Sequence, residues 1–165
     1  MKERDLKGLP PLSIPIAQLS IQSDKEGNLS VYDSIRKKFV SLTPEEWVRQ
    51  NFIHWLIDFK GYPPSLISNE VSITLNNTQK RSDAVIYDRS IQPLILIEFK
   101  APGVEITQST FDQIAKYNLQ LKAKYLIVSN GVRQYCCKMD YKSGDYHFIP
   151  QIPSFNEAIG LPSVN

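Results

Sequence analysis

Apolar residues recur along this chain at two periods, and the period separates its helices from its strands. Val48, Phe52, Trp55, Leu56 and Phe59 fall at helical spacing, which predicts one amphipathic helix with a single apolar stripe. Thr43-Pro44-Glu45-Glu46 marks its start with a threonine N-cap, a proline at the first helical position and a capping-box glutamate. Gly61 ends it, and Pro63-Pro64 prevent its return. The period then becomes two. Residues 70–75 alternate, with Val71, Ile73 and Leu75 on one face. Residues 82–88 and 94–100 read as two further strands, and the second is apolar on both faces, as a central strand is. Helical spacing returns over 107–121, with Phe111, Ile114, Ala115 and Leu121 inward. Strands over 124–129, 132–139 and 146–149 complete the pattern. Asn76-Asn77, Asn130-Gly131 (a type I′ hairpin signal) and Ser143-Gly144 supply turns. Ahead of the first helix the pattern is weaker, with short strands over 29–32 and 38–40 flanking Asp33-Ser34.

This order predicts an α/β fold with an αβββαβ core, a central mixed sheet flanked by helices, in which the third strand, second helix and fourth strand form a βαβ crossover. The chain has 165 residues, a length that suits one domain with one core. Within it, residues 1–35 read as a β-like extension, 36–139 as the core, and 140–165 as a last strand and tail. No apolar run approaches a membrane span, and the charged Met1-Lys2-Glu3-Arg4-Asp5 begins no signal core, so a cytoplasmic location is expected, without a membrane partner. The net charge of +2 neither requires nor excludes nucleic acid. Cys136 and Cys137 are adjacent, so a strand points them to opposite faces. With His54 and His147 they show none of the spacings of a zinc site and read as ordinary strand residues.

Charge changes the picture at three positions. Asp83 opens one predicted strand, and Glu98 and Lys100 close the next. Strand parity puts Glu98 and Lys100 on one face with Leu94 and Leu96, and antiparallel pairing across the turn at 88–93 brings Asp83 to them. Carboxylates that close repel unless a cation lies between them. Magnesium takes one or two carboxylates and keeps several waters. Asp83 and Glu98, with the backbone carbonyl of Phe99, suit that role, and Lys100 suits a water or a phosphate beside it. An ion pair of Lys100 with Glu98 or Asp83 at a sheet end is the competing explanation. On the first helix, a wheel at about 100° per residue puts Glu45 near the centre of the apolar stripe and Glu46 well over 90° away. Glu45 therefore joins the acidic set, while Glu46 is explained by the capping box. Arg49 is placed to pair with Glu45 at i, i+4, to orient the acidic cluster or to contact phosphate. Gln113 and Tyr117 share a face of the second helix, Glu70 either extends the cluster or faces solvent, and Lys80 and Arg81 are candidates for steering a phosphate backbone.

Together Glu45, Asp83, Glu98-Phe99-Lys100 and Gln113-x-x-x-Tyr117 resemble the PD-(D/E)XK nuclease superfamily. More narrowly, the chain resembles the N-terminal nuclease domain of type I restriction enzyme R subunits, in a small stand-alone form. The segments that carry the likeness are Thr43 to Gln50, Gly61-Tyr62-Pro63, Lys80 to Asp83, Ile97 to Pro102 and Gln113 to Tyr117. The resemblance implies magnesium-dependent DNA cleavage, with Mn²⁺ as a possible substitute. It implies Asp83 and Glu98 as metal ligands, Lys100 as catalytic lysine, Glu45 as an accessory acid, and Gln113 and Tyr117 as a motif of this branch. DNA is the implied partner, with a homodimer or other restriction or defence subunits beside it. Ser82 stands where the superfamily usually has proline, and no Gly-x-x-x-x-Gly-Lys motif occurs, so ATP-driven translocation does not carry over. The alternative function is a non-catalytic nucleic-acid-binding or assembly module with a nuclease fold.

Overall fold

A computed structural model describes residues 8–162 of the chain. The charged first five residues lie outside the described residues. Three short strands, β1 (Ile21–Ser23), β2 (Leu29–Asp33) and β3 (Lys38–Ser41), form an antiparallel sheet of their own. Helix α1 (Pro44–Lys60) follows, then β4 (Ile67–Leu75), β5 (Thr78–Tyr87), β6 (Pro93–Phe99), α2 (Gln108–Leu121), β7 (Tyr125–Ser129), β8 (Gln134–Asp140), β9 (Asp145–Ile149) and the short α3 (Phe155–Ala158). Strands β4 to β9 make a six-stranded sheet in sequence order. All its pairs are antiparallel except β6–β7, which α2 joins as a parallel crossover. The αβββαβ order expected from the pattern is therefore the observed one. Among the described residues no helix is long and apolar enough to cross a membrane.

Strand alternation divides the core into two layers. Ala84, Ile86, Ile95, Ile97, Phe99 and Ile127 pack on the α1 side with Val48, Phe52 and Leu56. Val85, Leu96, Leu126 and Val128 pack on the α2 side with Phe111 and Ile114. Cys136 and Cys137 are buried thiols in opposite layers, as strand neighbours must be. Leu94 departs from parity. It joins the α1 layer, next to a register shift between Ile86 and Tyr87 that offsets the start of β6.

Half of the capping box expected at α1 forms, because the Glu46 carboxylate takes Arg36, Arg49 and Gln50 and the Thr43 amide donates to the Ser41 carbonyl instead. The Thr43 hydroxyl accepts from the Glu46 amide at 3.1 Å, and Gly61 closes α1 in the left-handed region at φ 73°. Asn76 and Asn77, with φ of 49° and 60°, make the tight β4–β5 hairpin. Asn130-Gly131 does not form a two-residue turn. The Asn130 side-chain oxygen accepts from the amides of Val132 and Arg133, and β8 begins only at Gln134.

The expectation of a single apolar stripe on α1 needs correction. Residues 46–53 are buried without a break, because the helix lies between two layers. Val48 and Phe52 face the large sheet, while Trp47 packs with Leu19 and Val31 beneath the small one. Phe59, assigned inward by spacing, is 67% exposed.

Candidate metal and phosphate site

The β5–β6 register pairs Ala84 with Ile97 and Val85 with Leu96, and one further step sets Asp83 opposite Glu98. The Asp83 carboxylate closes the end of this ladder: its Oδ2 accepts the Phe99 amide at 2.7 Å, and its Oδ1 accepts from Arg49 Nη2 at 3.2 Å. Lys100 Nζ stands 3.9 Å from Glu98 Oε1. The Asp83, Glu98 and Lys100 side chains are 16%, 22% and 31% exposed, so the cluster is half-buried where β6 ends, midway along β5, whose pairing with β4 runs on to Thr78.

Glu70 stands opposite Asp83 on the other side, in a gap of the β4–β5 ladder between the pairs Asn69–Ala84 and Val71–Ser82. Its backbone is left-handed at φ 56°, a conformation that costs a non-glycine residue roughly 1 kcal/mol or more. Its carboxylate binds Arg36 at 3.2 Å and Arg81 at 3.5 Å, and so meets cations instead of the carboxylate across the ladder. Glu45, at the first turn of α1, is electrostatically coupled to Asp83, Arg49 and Lys100.

Glu46 corrects the wheel. Its side chain is buried, and its oxygens accept from Arg36, from Arg49 at 2.8 Å and from Gln50 at 2.9 Å. Arg49 therefore pairs at i, i+3 with Glu46 and not with Glu45. It lies 5.9 Å from the centre of the Phe99 ring, and its buried Nε has no hydrogen-bond partner among the described residues. Arg36 reaches Glu46 from the β2–β3 turn, where it also pairs with Asp33. Sequence reasoning missed Asp33, Arg36 and Glu46. Only Glu46/Arg49 carried a partial signal, as an i, i+3 acid–base pair on a helix, and it gave no hint of burial; Asp33/Arg36 lies at the β2–β3 turn, where helical spacing says nothing.

Contacts thus join Arg49, Glu70, Arg81 and Asp83 into one network through Arg36 and Glu46, the Glu98–Lys100 pair stands across the β5–β6 ladder from Asp83, and Glu45 acts on the cluster by its charge alone. Gln113 and Tyr117 hydrogen-bond to each other at 2.8 Å and have no hydrogen bond or ion pair to that set among the described residues. Lys80 is exposed one residue before Arg81 and has no ion pair among the described residues. The aromatic cleft of Phe111, Tyr135 and Phe148 contains none of these charged groups.

Electrostatics follow from this crowding. Burial and the negative charge of Asp83 push Glu98 up to about 8, against the pull of Lys100. Burial also raises Asp83, against the Phe99 amide, Arg49 and Lys100. Glu45 is raised by burial and by Asp83. Asp33 and Glu70 go the other way: burial pushes each up, and the Arg36 contacts outweigh it. Counting Glu45, Glu98 and Lys100 with the Arg36 and Arg49 network, six carboxylates (Asp33, Glu45, Glu46, Glu70, Asp83, Glu98) lie in this region with four basic side chains (Arg36, Arg49, Arg81, Lys100). Fully ionised, it is two positive charges short of neutrality, which one divalent cation would supply.

Among the described residues no three His, Cys, Asp or Glu side chains converge as a ready cage for an ion. That donor set still fits magnesium, which takes one or two carboxylates and fills its other positions with water. Each Asp83 oxygen keeps acceptor capacity beyond its one hydrogen bond.

Residues 44–153 match the family described as the type I restriction enzyme R protein N terminus. Among solved structures, the chain resembles a fragment assigned as the HsdR subunit of a type I restriction enzyme from Vibrio vulnificus YJ016, at 19% identity and a TM-score of 0.53. The match covers 72% of this chain and 25% of that one, so this chain spans about a quarter of its structural relative. No curated protein matches the sequence. The chain belongs to the family of type I restriction enzyme R protein N termini.

Proposed function

We propose that this protein is a metal-dependent nuclease that hydrolyses DNA phosphodiester bonds, in restriction and defence or in repair. The observation that carries the reading is the close approach of two carboxylates, Asp83 on β5 and Glu98 opposite it at the end of β6, with Arg49 on Asp83 and Lys100 beside Glu98. A purely structural ion-pair network has no need of two excess carboxylates in a half-buried position. The family supports restriction as the setting.

Asp83, Glu98 and the Phe99 carbonyl would hold Mg²⁺, with Mn²⁺ able to replace it. When bound, the ion supplies Lewis-acid activation of water and phosphate. The Phe99 amide and Arg49 hold the Asp83 carboxylate in one orientation. Lys100 lies at the edge of the cluster with its ammonium partly open to solvent, where it can orient the attacking water or meet charge developing on a phosphate oxygen. Glu45 adds negative charge on the α1 side. Lys80 and Arg81 suit contacts to the DNA backbone. Gln113 and Tyr117 form an accessory pair on α2 whose part in this chemistry is inferred from the superfamily motif. DNA is the substrate on this reading, and a second copy or other restriction subunits are the partners.

The test is cleavage of supercoiled, linear and single-stranded DNA with Mg²⁺ or Mn²⁺. Wild-type protein is expected to cut at least one form, and Lys100→Ala or Asp83→Ala to lower the rate about 100-fold or more while leaving the fold intact. Salt-dependent DNA binding by a folded protein that cuts none of these forms would replace this reading with the binding module.

A further inference from the structure

Two arginines thread the acidic cluster. Arg49 stands between Glu46 and Asp83, at 2.8 Å and 3.2 Å. Arg36 grips Glu46 from the far side and also binds Asp33 and Glu70. Contacts therefore run without a break from Asp33 through Arg36, Glu46 and Arg49 to Asp83. The first four of these side chains are at most 12% exposed. Asn69 donates to Asp33 at 3.1 Å, and the amides of Ile35 and Arg36 bind its other oxygen, so the far end is fixed to the backbone of the β2–β3 hairpin. That hairpin precedes the family-matched residues 44–153.

Arg49 is a shared cation. Its guanidinium serves two carboxylates, and at Asp83 its positive charge opposes any other cation drawn to that carboxylate. Whatever strengthens its hold on Glu46 relieves Asp83, and whatever weakens that hold loads Asp83 with the full charge. Screening between groups this close and this buried is weak.

We infer that the β2–β3 hairpin is a positioning element of the proposed metal site: Glu46, held by Arg36 and Asp33, sets how far Arg49 occupies Asp83, and thereby sets the divalent-cation affinity of Asp83 and Glu98. The inference rests on the nuclease reading for the identity of the ion. Asp33, Arg36 and Glu46 touch neither the ion nor the substrate in this scheme. They act through Arg49, as positioning residues.

The scheme gives each substitution a sign. Glu46→Gln keeps the shape and removes one of the two anions of Arg49, so Arg49 falls on Asp83 and cation binding weakens. Arg36→Gln leaves Glu46 with Arg49 as its one remaining cation, so Arg49 moves off Asp83 and cation binding tightens. A scaffolding role alone would lower stability in both and leave the affinity of the folded protein unmoved. Long-range charge alone would give the same two signs, but would act with or without Arg49.

The experiment is calorimetric titration of Mn²⁺ alone into the full chain, with circular dichroism to verify folding. The variants are Glu46→Gln, Arg36→Gln, Arg36→Lys, Arg49→Gln and the doubles of the first two with Arg49→Gln. Expected are about fivefold or greater weakening in Glu46→Gln, about threefold tightening in Arg36→Gln, and near-wild-type affinity in Arg36→Lys. In the Arg49→Gln background the first two effects should shrink below about twofold. If Glu46→Gln does not fold, the Arg36→Gln and Arg49→Gln cycle reads the same coupling. Affinities unmoved by Glu46→Gln and Arg36→Gln, or effects that persist undiminished without Arg49, overturn this inference and leave the nuclease reading standing. Wild-type protein that takes up no Mn²⁺ overturns both.

Discussion

Glu98 concentrates the chemistry of the site in one side chain. Its carboxyl is raised by burial and by Asp83, so the folded protein holds a proton there over a pH range in which the unfolded chain has lost it. By linkage, stability falls as pH rises from the ordinary glutamate value of 4.5 through about 8. A divalent cation bound by the ionised pair reverses that loss. Thermal melts are therefore expected to show a Mg²⁺- or Mn²⁺-induced rise in Tm that is small at acid pH and grows toward pH 8. Glu98→Gln should flatten the pH dependence of the metal-free protein and abolish the metal-induced rise. An equal rise in wild type and variant would place the ion elsewhere. The identity of this residue was legible in the sequence, because strand parity alone puts Glu98 beside Lys100 and the turn at 88–93 brings in Asp83. The role of Glu46 was not legible. A helical wheel presumes one buried face, and this helix has two.

Two glycines show what local geometry does to an element. Gly61 and Gly131 both lie in the left-handed region, at φ 73° and 80°. A Cβ on Gly61 would meet nothing within 4 Å, whereas one on Gly131 would come within 2.6 Å of Leu12 and 3.1 Å of Val48. Gly61→Ala is expected to cost about 1 kcal/mol, the backbone penalty at the end of α1. Gly131→Ala adds overpacking against α1 and should cost about 2–4 kcal/mol. Denaturant melts of the two variants measure the difference, and equal losses would mean that the Leu12 contact yields freely. Gly61 was readable as a helix stop from its neighbours in sequence. The constraint at Gly131 was not, since Leu12 and Val48 approach it only in the folded chain. The same limit explains the β7–β8 connection: Asn130-Gly131 signals a two-residue turn, yet the Asn130 side chain captures two amides and lengthens the loop to four residues.

At the scale of the whole molecule, α1 is the shared wall between the two sheets, and Trp47 is the residue that joins them. It packs with Leu19 and Val31 and donates its indole N–H to the Pro10 carbonyl at 2.9 Å. Trp47→Ala should cost about 3–5 kcal/mol, and it should loosen the β2–β3 hairpin before the large sheet. Hydrogen exchange is expected to show early loss of protection at Val31 and Val40, and simultaneous loss across β5 to β7 would show instead that the two sheets unfold as one. By itself the sequence determined the order of elements, the central place of β6 and the meeting of Asp83 with Glu98 and Lys100. Each follows from a period of two or 3.6 acting over a few residues, and from a short turn that leaves one way to pair. Only the tertiary structure decided that Glu46 is buried, that Glu70 turns away from Asp83 to Arg36 and Arg81, and that Asp33 and Arg36 reach the site. Those arrangements depend on two sheets enclosing one helix, and a charge is priced by what surrounds it in space, which no spacing along the chain records.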